Sequence, residues 1–224
     1  MIIVDLLRWM GDDLAVVNAA RVSFDKQSDW ENAEYGHPDF EEPYYLSERD
    51  TKLIKYLAKH KHISPFGHCF ASFRVKAPVA VARQLVKHKF LRWNEISRRY
   101  VKNEPECFLP DIWRTAPENS KQGSGGPHDN SDNLSAAAQD LYAKAVHMYN
   151  AFIELGVAPE QARLVLPQAM YTEWYWSGSL DAFAAMCKLR CASDTQQESR
   201  IVAQEISDHM LDIFPVSWAA LMEY

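Results

Sequence analysis

Cys69-Phe70-Ala71-Ser72-Phe73-Arg74-Val75 alternates apolar with polar residues. Cys69, Ala71, Phe73 and Val75 fall on one side, Ser72 and Arg74 on the other, and Phe70 is the one misfit. A period of two predicts a half-buried strand, because successive side chains of an extended chain point to opposite faces. Ala77-Pro78 closes it, and Val79 onward is compatible with helix. Upstream, residues 1–24 read as a strand or two packed with a short helix. Residues 25–46, acidic, aromatic and proline-containing, read as a loop. Ser47 then stands three residues before Asp50, ahead of Leu53, Ile54, Leu57 and Ala58. That is a capping box with Asp in the Glu/Gln position, opening a helix of about 12 residues.

Downstream, residues 117–133 carry Ser, Gly, Asn, Asp and Pro without apolar periodicity and are expected to form a mobile loop. Leu134, Ala138, Leu141, Ala145, Met148, Phe152 and Leu155 follow at spacings 4-3-4-3-4-3. They predict an amphipathic helix with its stripe turned to the core, ended by Gly156. Helical stretches are expected near 159–165, 179–191 and 196–213, and residues 165–176 fit helix or strand equally. The 224 residues, 47% of them apolar, suffice for one core. The expected fold is therefore a single α/β domain of α+β type over residues 1–224, a mixed or antiparallel central sheet flanked by helices.

The formal charge of −6 argues against a protein built to coat nucleic acid. Yet Arg83, Lys87, Lys89, Arg92, Arg98, Arg99 and Lys102 crowd into residues 83–102 with one acid, Glu95. Positive charge concentrated on an acidic background steers small anions to one place. If 79–90 is helical, Arg83, Gln84, Lys87 and His88 share a face. Gln84, Asn94, Ser97 and Tyr100 interleave donors and acceptors with the charges, a mixture suited to a base edge and a phosphate together. The chain has no phosphate-loop or dinucleotide-turn motif, no His-Glu-x-x-His, no Cys-x-x-Cys and no nucleophile elbow, so no metal site is expected. No apolar run approaches the roughly 20 residues of a membrane helix and no leader is evident, so a cytoplasmic protein is expected.

Lys87-His88-Lys89, seven residues, then Ser97, with Asn94-Glu95-Ile96-Ser97 inside the segment, resembles the signature of flavin-dependent thymidylate synthases. Residues 18–24 (Asn-Ala-Ala-Arg-Val-Ser-Phe), 62–68, 75–84, 162–167 and 189–191 also look like family segments in family order. The resemblance implies a homotetramer with active sites at subunit junctions, each binding FAD. It implies reductive methylation of dUMP to dTMP, with methylenetetrahydrofolate as carbon donor and NADPH as reductant. By the same resemblance Arg190 is the catalytic candidate, polarising the pyrimidine. Gln84, Lys87, Glu95, Ser97, Arg98, Arg99 and Arg163 match dUMP-contacting positions. Ser64, Lys87, His88, Lys89, Phe90 and Glu95 match flavin-contacting ones, as do Ser179, Leu180, Asp181 and Ala185. His62 and Tyr100 fall near the isoalloxazine, folate or NADPH.

The chain also departs from the family pattern. Lys87 and Lys89 replace signature arginines, keeping charge but losing the bidentate fork. Asp181 and Asp194 stand where many members carry Arg and His. With Phe90, Trp93 and Tyr100 among the charges, a second reading stays open: a non-enzymatic nucleotide- or RNA-binding module on a degenerate family fold.

Overall fold

A computed structural model of the chain describes residues 1–32, 44–101, 103–118 and 123–224. Among the described residues the strands are β1 (Ile3–Met10), β2 (Glu31–Asn32), β3 (Tyr44–Tyr45), β4 (Phe70–Pro78), β5 (Arg92–Glu95) and β6 (Tyr171–Ser179). The helices are α1 (Asp13–Arg21), α2 (Glu48–Lys59), α3 (Val79–Leu85), α4 (Ser131–Glu154), α5 (Pro159–Ala162), α6 (Leu180–Arg190), α7 (Gln197–Ile213) and α8 (Pro215–Glu223). Short 3₁₀ turns cover Val22–Phe24, Ser64–His68 and Arg163–Val165.

The expected strand at residue 69 is β4, and it is central. The main sheet has the order β1-β4-β6-β5 and every pairing is antiparallel. Ala71, Phe73, Val75 and Ala77 of β4 are buried, as are Thr172, Trp174, Trp176 and Gly178 of β6, which settles residues 171–179 as strand. On this face Phe73 meets Phe183 of α6 edge-on at 5.2 Å, and Trp176 meets the same ring at 5.7 Å. Val202, Ile206 and Met210 of α7 complete the layer. The opposite face is polar: Ser177 donates to Ser72 at 2.8 Å, and Arg74 pairs with Glu173. Helices therefore cover one side of the sheet.

Ser47 caps α2 by accepting from the Asp50 N–H at 3.1 Å, as its spacing predicts. Asp50 also receives Arg21 from the last turn of α1, in an ion pair whose side chains are 4% and 11% exposed respectively. Of the expected loop at 25–46, residues 31–32 and 44–45 pair as β2 and β3, and 33–43 lie outside the described residues. Part of the 117–133 segment (119–122) also lies outside them. Its described remainder is hydrogen-bonded backbone, with Thr115 N–H to Gly126 O at 2.9 Å and His128 N–H to Trp113 O at 2.8 Å, and α4 begins at Ser131.

Two sequence expectations need correction. The α4 stripe does not face the core. Leu134, Leu141, Met148 and Leu155 are 37%, 61%, 49% and 81% exposed, and only Tyr149 of the helix is buried. Periodicity tells which face of a helix is apolar, not what body covers it. Second, α3 ends at Leu85 rather than near residue 90, so Arg83, Gln84, Lys87 and His88 do not share one helical face. The sequence pattern carries no sign of α8, which has no periodic stripe and no side-chain cap of its own. Its start is held by Asp13, which accepts from the Val216 and Ser217 N–H groups at 2.9 and 2.8 Å, and burial raises that carboxyl above its ordinary 3.8. A cap supplied from two hundred residues away leaves no signature beside the helix.

Candidate active site

The signature segment is laid out along β6. At one end the Phe90–Leu91 backbone crosses Gly178. A Cβ on that glycine would collide with the Leu91 side chain and stand 3.3 Å from the Phe90 carbonyl oxygen. Only glycine permits so close an approach. The crossing also needs Phe90 in the left-handed region at φ 67°, with its ring 84% exposed. β5 then pairs residue by residue with β6, Arg92 opposite Ser177 through Glu95 opposite Trp174. Trp93 stacks on Trp174 at 4.4 Å.

At the far end lies a cavity of about 560 Å³. Arg83, Arg98 and Arg163 line it, and none has a carboxylate partner among the described residues. The Arg98 guanidinium, half-buried, donates to the Asn103 carbonyl at 2.5 Å, and Arg163 Nε donates to the Glu160 carbonyl at 3.3 Å. Glu95 enters the same cavity with both oxygens engaged: Oε1 accepts from Thr172 Oγ1 at 2.8 Å and Oε2 from Trp93 Nε1 at 3.1 Å. Ser97 Oγ accepts from the Arg99 backbone N–H and Nε at 3.4 Å, and the Arg99 guanidinium lies 5.3 Å from the exposed Tyr100 ring.

Arg190 sits elsewhere, at the last turn of α6, where its Nε donates to His88 Nε2 at 2.9 Å. An arginine can only donate, so Nε2 must be unprotonated. Burial first, and the Arg190 charge second, push the imidazole below its ordinary 6.5. Its contribution is complete above 6.5 and is lost as pH falls through the depressed value. An NMR titration of the His88 ring is therefore expected to show a midpoint under 6.5. A midpoint above it would contradict the accepting role.

Other candidate residues are distributed less simply. Gln84 bonds within the chain through both ends of its amide, to Gln196 and, at 3.0 Å, to Ser199. Leu180 is fully buried in the core and can offer a ligand no side chain, whereas Ala185 is exposed. Asp181 Oδ1 is buried without a hydrogen-bond partner among the described residues, at the start of α6. Ser64 is exposed at the start of the 3₁₀ turn that packs against α6, His62 is exposed two residues before it, and the His62 ring is 6.0 Å from Tyr56. Lys87 and Lys89 are exposed in the turn after α3, and Lys102 lies outside the described residues.

Of the two donors on Glu95, the sequence pointed to Trp93 only as an aromatic suited to RNA, and Thr172 carried no signal. Period two, with Trp93 two residues before Glu95, was the available signal for the first; the second needed the β5–β6 register.

The family model described as thymidylate synthase complementing protein matches residues 5–216. A flavin-dependent thymidylate synthase of Thermus thermophilus is 38% identical over 221 residues, spanning 99% of this chain and 76% of that one. One from Kosmotoga olearia is 34% identical, spanning 98% and 89%. The crystal structure of the UMP/dUMP methylase PolB from Streptomyces cacaoi bound with 5-Br dUMP superposes with a TM-score of 0.83 at 29% identity, covering 100% of this chain and 96% of PolB. A PolB structure bound with 5-Br UMP gives the same TM-score at 28% identity.

Proposed function

The chain belongs to the thymidylate synthase complementing protein family, whose matched relatives are flavin-dependent thymidylate synthases, and from that premise we propose that it methylates dUMP reductively to dTMP. Methylenetetrahydrofolate is the carbon donor, NADPH the reductant and FAD the bound cofactor in this reading. The observation that carries it is the cavity in which three arginines, with no acidic partner among the described residues, meet the clamped carboxylate of Glu95. Guanidinium forks hold a phosphate, and a fixed carboxylate accepts from a nucleoside N–H or O–H.

FAD suits the residues at the other end of β5. The exposed ammonium groups of Lys87 and Lys89 can meet a pyrophosphate, and the Asp181 oxygen, without a partner among the described residues, can accept from a ribose hydroxyl or adenine amine. When bound and reduced, FAD supplies the hydride that turns a transferred methylene into a methyl. Arg190, steadied through Nε by His88, offers its remaining N–H groups to polarise the pyrimidine.

Neither Arg190 nor His88 lines the arginine cavity. This reading therefore has a second copy of the chain complete each site, bringing an Arg190 to a nucleotide held by the arginine cavity. The exposed α4 stripe, repeating at heptad spacing, supports self-association into the proposed homotetramer. Light scattering is expected to report four copies for the unsubstituted protein. A Leu141→Glu/Met148→Glu variant is expected to give smaller species and to lose dTMP formation with them. An unchanged mass would remove α4 from the interface.

The deciding experiment is dTMP formation with dUMP, methylenetetrahydrofolate, NADPH and FAD, omitting each in turn, with UMP run beside dUMP because the PolB structures hold analogues of both. Product formed without FAD or without folate would refute the proposal.

A further inference from the structure

We propose that Trp93 and Thr172 are positioning residues that hold Glu95 away from the arginines of its cavity, keeping those guanidinium groups available to an anion. The inference rests on the reading of that cavity as a phosphate seat. Glu95 and Arg83, Arg98 and Arg163 line the same space, yet no ion pair joins them. Left free, an exposed glutamate among three guanidinium groups pairs with one, since charge-assisted bonds outweigh neutral ones. Here each carboxylate oxygen is already committed, Oε1 to the Thr172 hydroxyl at 2.8 Å and Oε2 to the Trp93 indole at 3.1 Å.

Both donors are rigidly held. Thr172 is 6% exposed, on the sheet face it shares with Trp174. It stands diagonally across from Glu95, which is opposite Trp174, a separation side chains can span. Trp93 is two residues from Glu95, hence on the same face of β5, and its ring is pinned by the 4.4 Å stack on Trp174. Of the other acids lining the cavity, Glu106 pairs with Lys76 at 2.7 Å and Glu173 pairs with Arg74, while no ion pair among the described residues joins Glu104 to the three arginines. Two donors acting from fixed rings and strands thus set the direction of one carboxylate, and that direction decides whether Glu95 occupies a guanidinium or leaves it open to an anion.

The test uses Thr172→Val, which keeps the shape and removes the hydroxyl, with Thr172→Ser as the conservative rescue. The probe is inorganic phosphate titrated calorimetrically into the full-length protein, followed by steady-state kinetics with dUMP. Thr172→Val is expected to weaken phosphate binding about ten-fold, the worth of one hydrogen bond to a charged group. It is expected to raise KM for dUMP similarly with kcat within about two-fold, and Thr172→Ser to restore both. In a Glu95→Gln background, where no ion pair can form, the same substitution is expected to leave phosphate affinity unchanged. Unchanged phosphate affinity in Thr172→Val, or an equal loss in both backgrounds, overturns the inference. Absence of dUMP turnover in the unsubstituted protein, with the phosphate pattern intact, would instead refute the functional reading.

Discussion

Arg190→Ala is expected to lower dTMP formation about a hundred- to a thousand-fold, the usual loss when one preorganised donor is removed from a developing negative charge. FAD binding is expected to survive, because Lys87, Lys89 and Asp181 do not depend on that guanidinium. The expectation follows from how the side chain is held. Its Nε is fixed on His88 at 2.9 Å, in the last turn of a helix whose preceding residues Met186 and Cys187 are fully buried. The ring it leans on is neutral near pH 7, for the burial and charge already described. Arg190→Lys is expected to rescue little, since an ammonium cannot hold His88 and present a planar pair of donors at once. Turnover of Arg190→Ala near that of the unsubstituted enzyme, measured with saturating dUMP and folate, would end the catalytic assignment.

Arg21→Ala is expected to destabilise the fold by about 3–5 kcal/mol, the cost of stranding one partner of a buried ion pair. Arg21 sits in the last turn of α1 and Asp50 in the first turn of α2, so the pair ties the two helices together. Burial by itself would raise the Asp50 carboxyl. Hydrogen bonds from Arg21, Ser28 and Ser47, with the Arg21 charge, outweigh it and hold the group below its ordinary 3.8. A depressed carboxyl stabilises fully above its unfolded value and loses that contribution as pH falls through the folded one. Urea unfolding of the unsubstituted protein should therefore weaken below about pH 4, where the carboxylate begins to bind its proton in the unfolded chain. The Arg21→Ala protein, lacking the partner, should lose less over the same interval. A loss under about 1 kcal/mol at neutral pH would place the pair with ordinary surface contacts.

Much of this architecture is legible from local pattern. Period two exposed β4, the Ser47–Asp50 spacing exposed α2, and Gly156, in the left-handed region at φ 81°, stops the chain just past α4. What pattern missed was whatever depended on a distant partner. β5 is four residues long, mostly polar, and exists as a strand because β6 presents a free edge to it. α8 is capped by Asp13, and α4 turns its stripe outward because the domain occupies its other face through Tyr149 and the bonds from Trp113 to Ser131 and Ser135. The site divides the same way. Glu95, Arg98 and Arg163 could be named from motifs, but Thr172 on Glu95 and Ser199 on Gln84 join residues 77 and 115 positions apart.

The pairing of β5 with β6 also sets an order of events during synthesis. By the time residue 99 leaves the ribosome the whole signature has been translated, yet the strand that shapes it is not made until residue 179. A nascent chain halted at 165 would hold every motif letter from Lys87 to Arg99 with no template to pair against. Ligand capture must therefore wait for the carboxy-terminal half, and pairings so remote in the chain are slow to form. Until then the cationic stretch has no β6 edge to pair with.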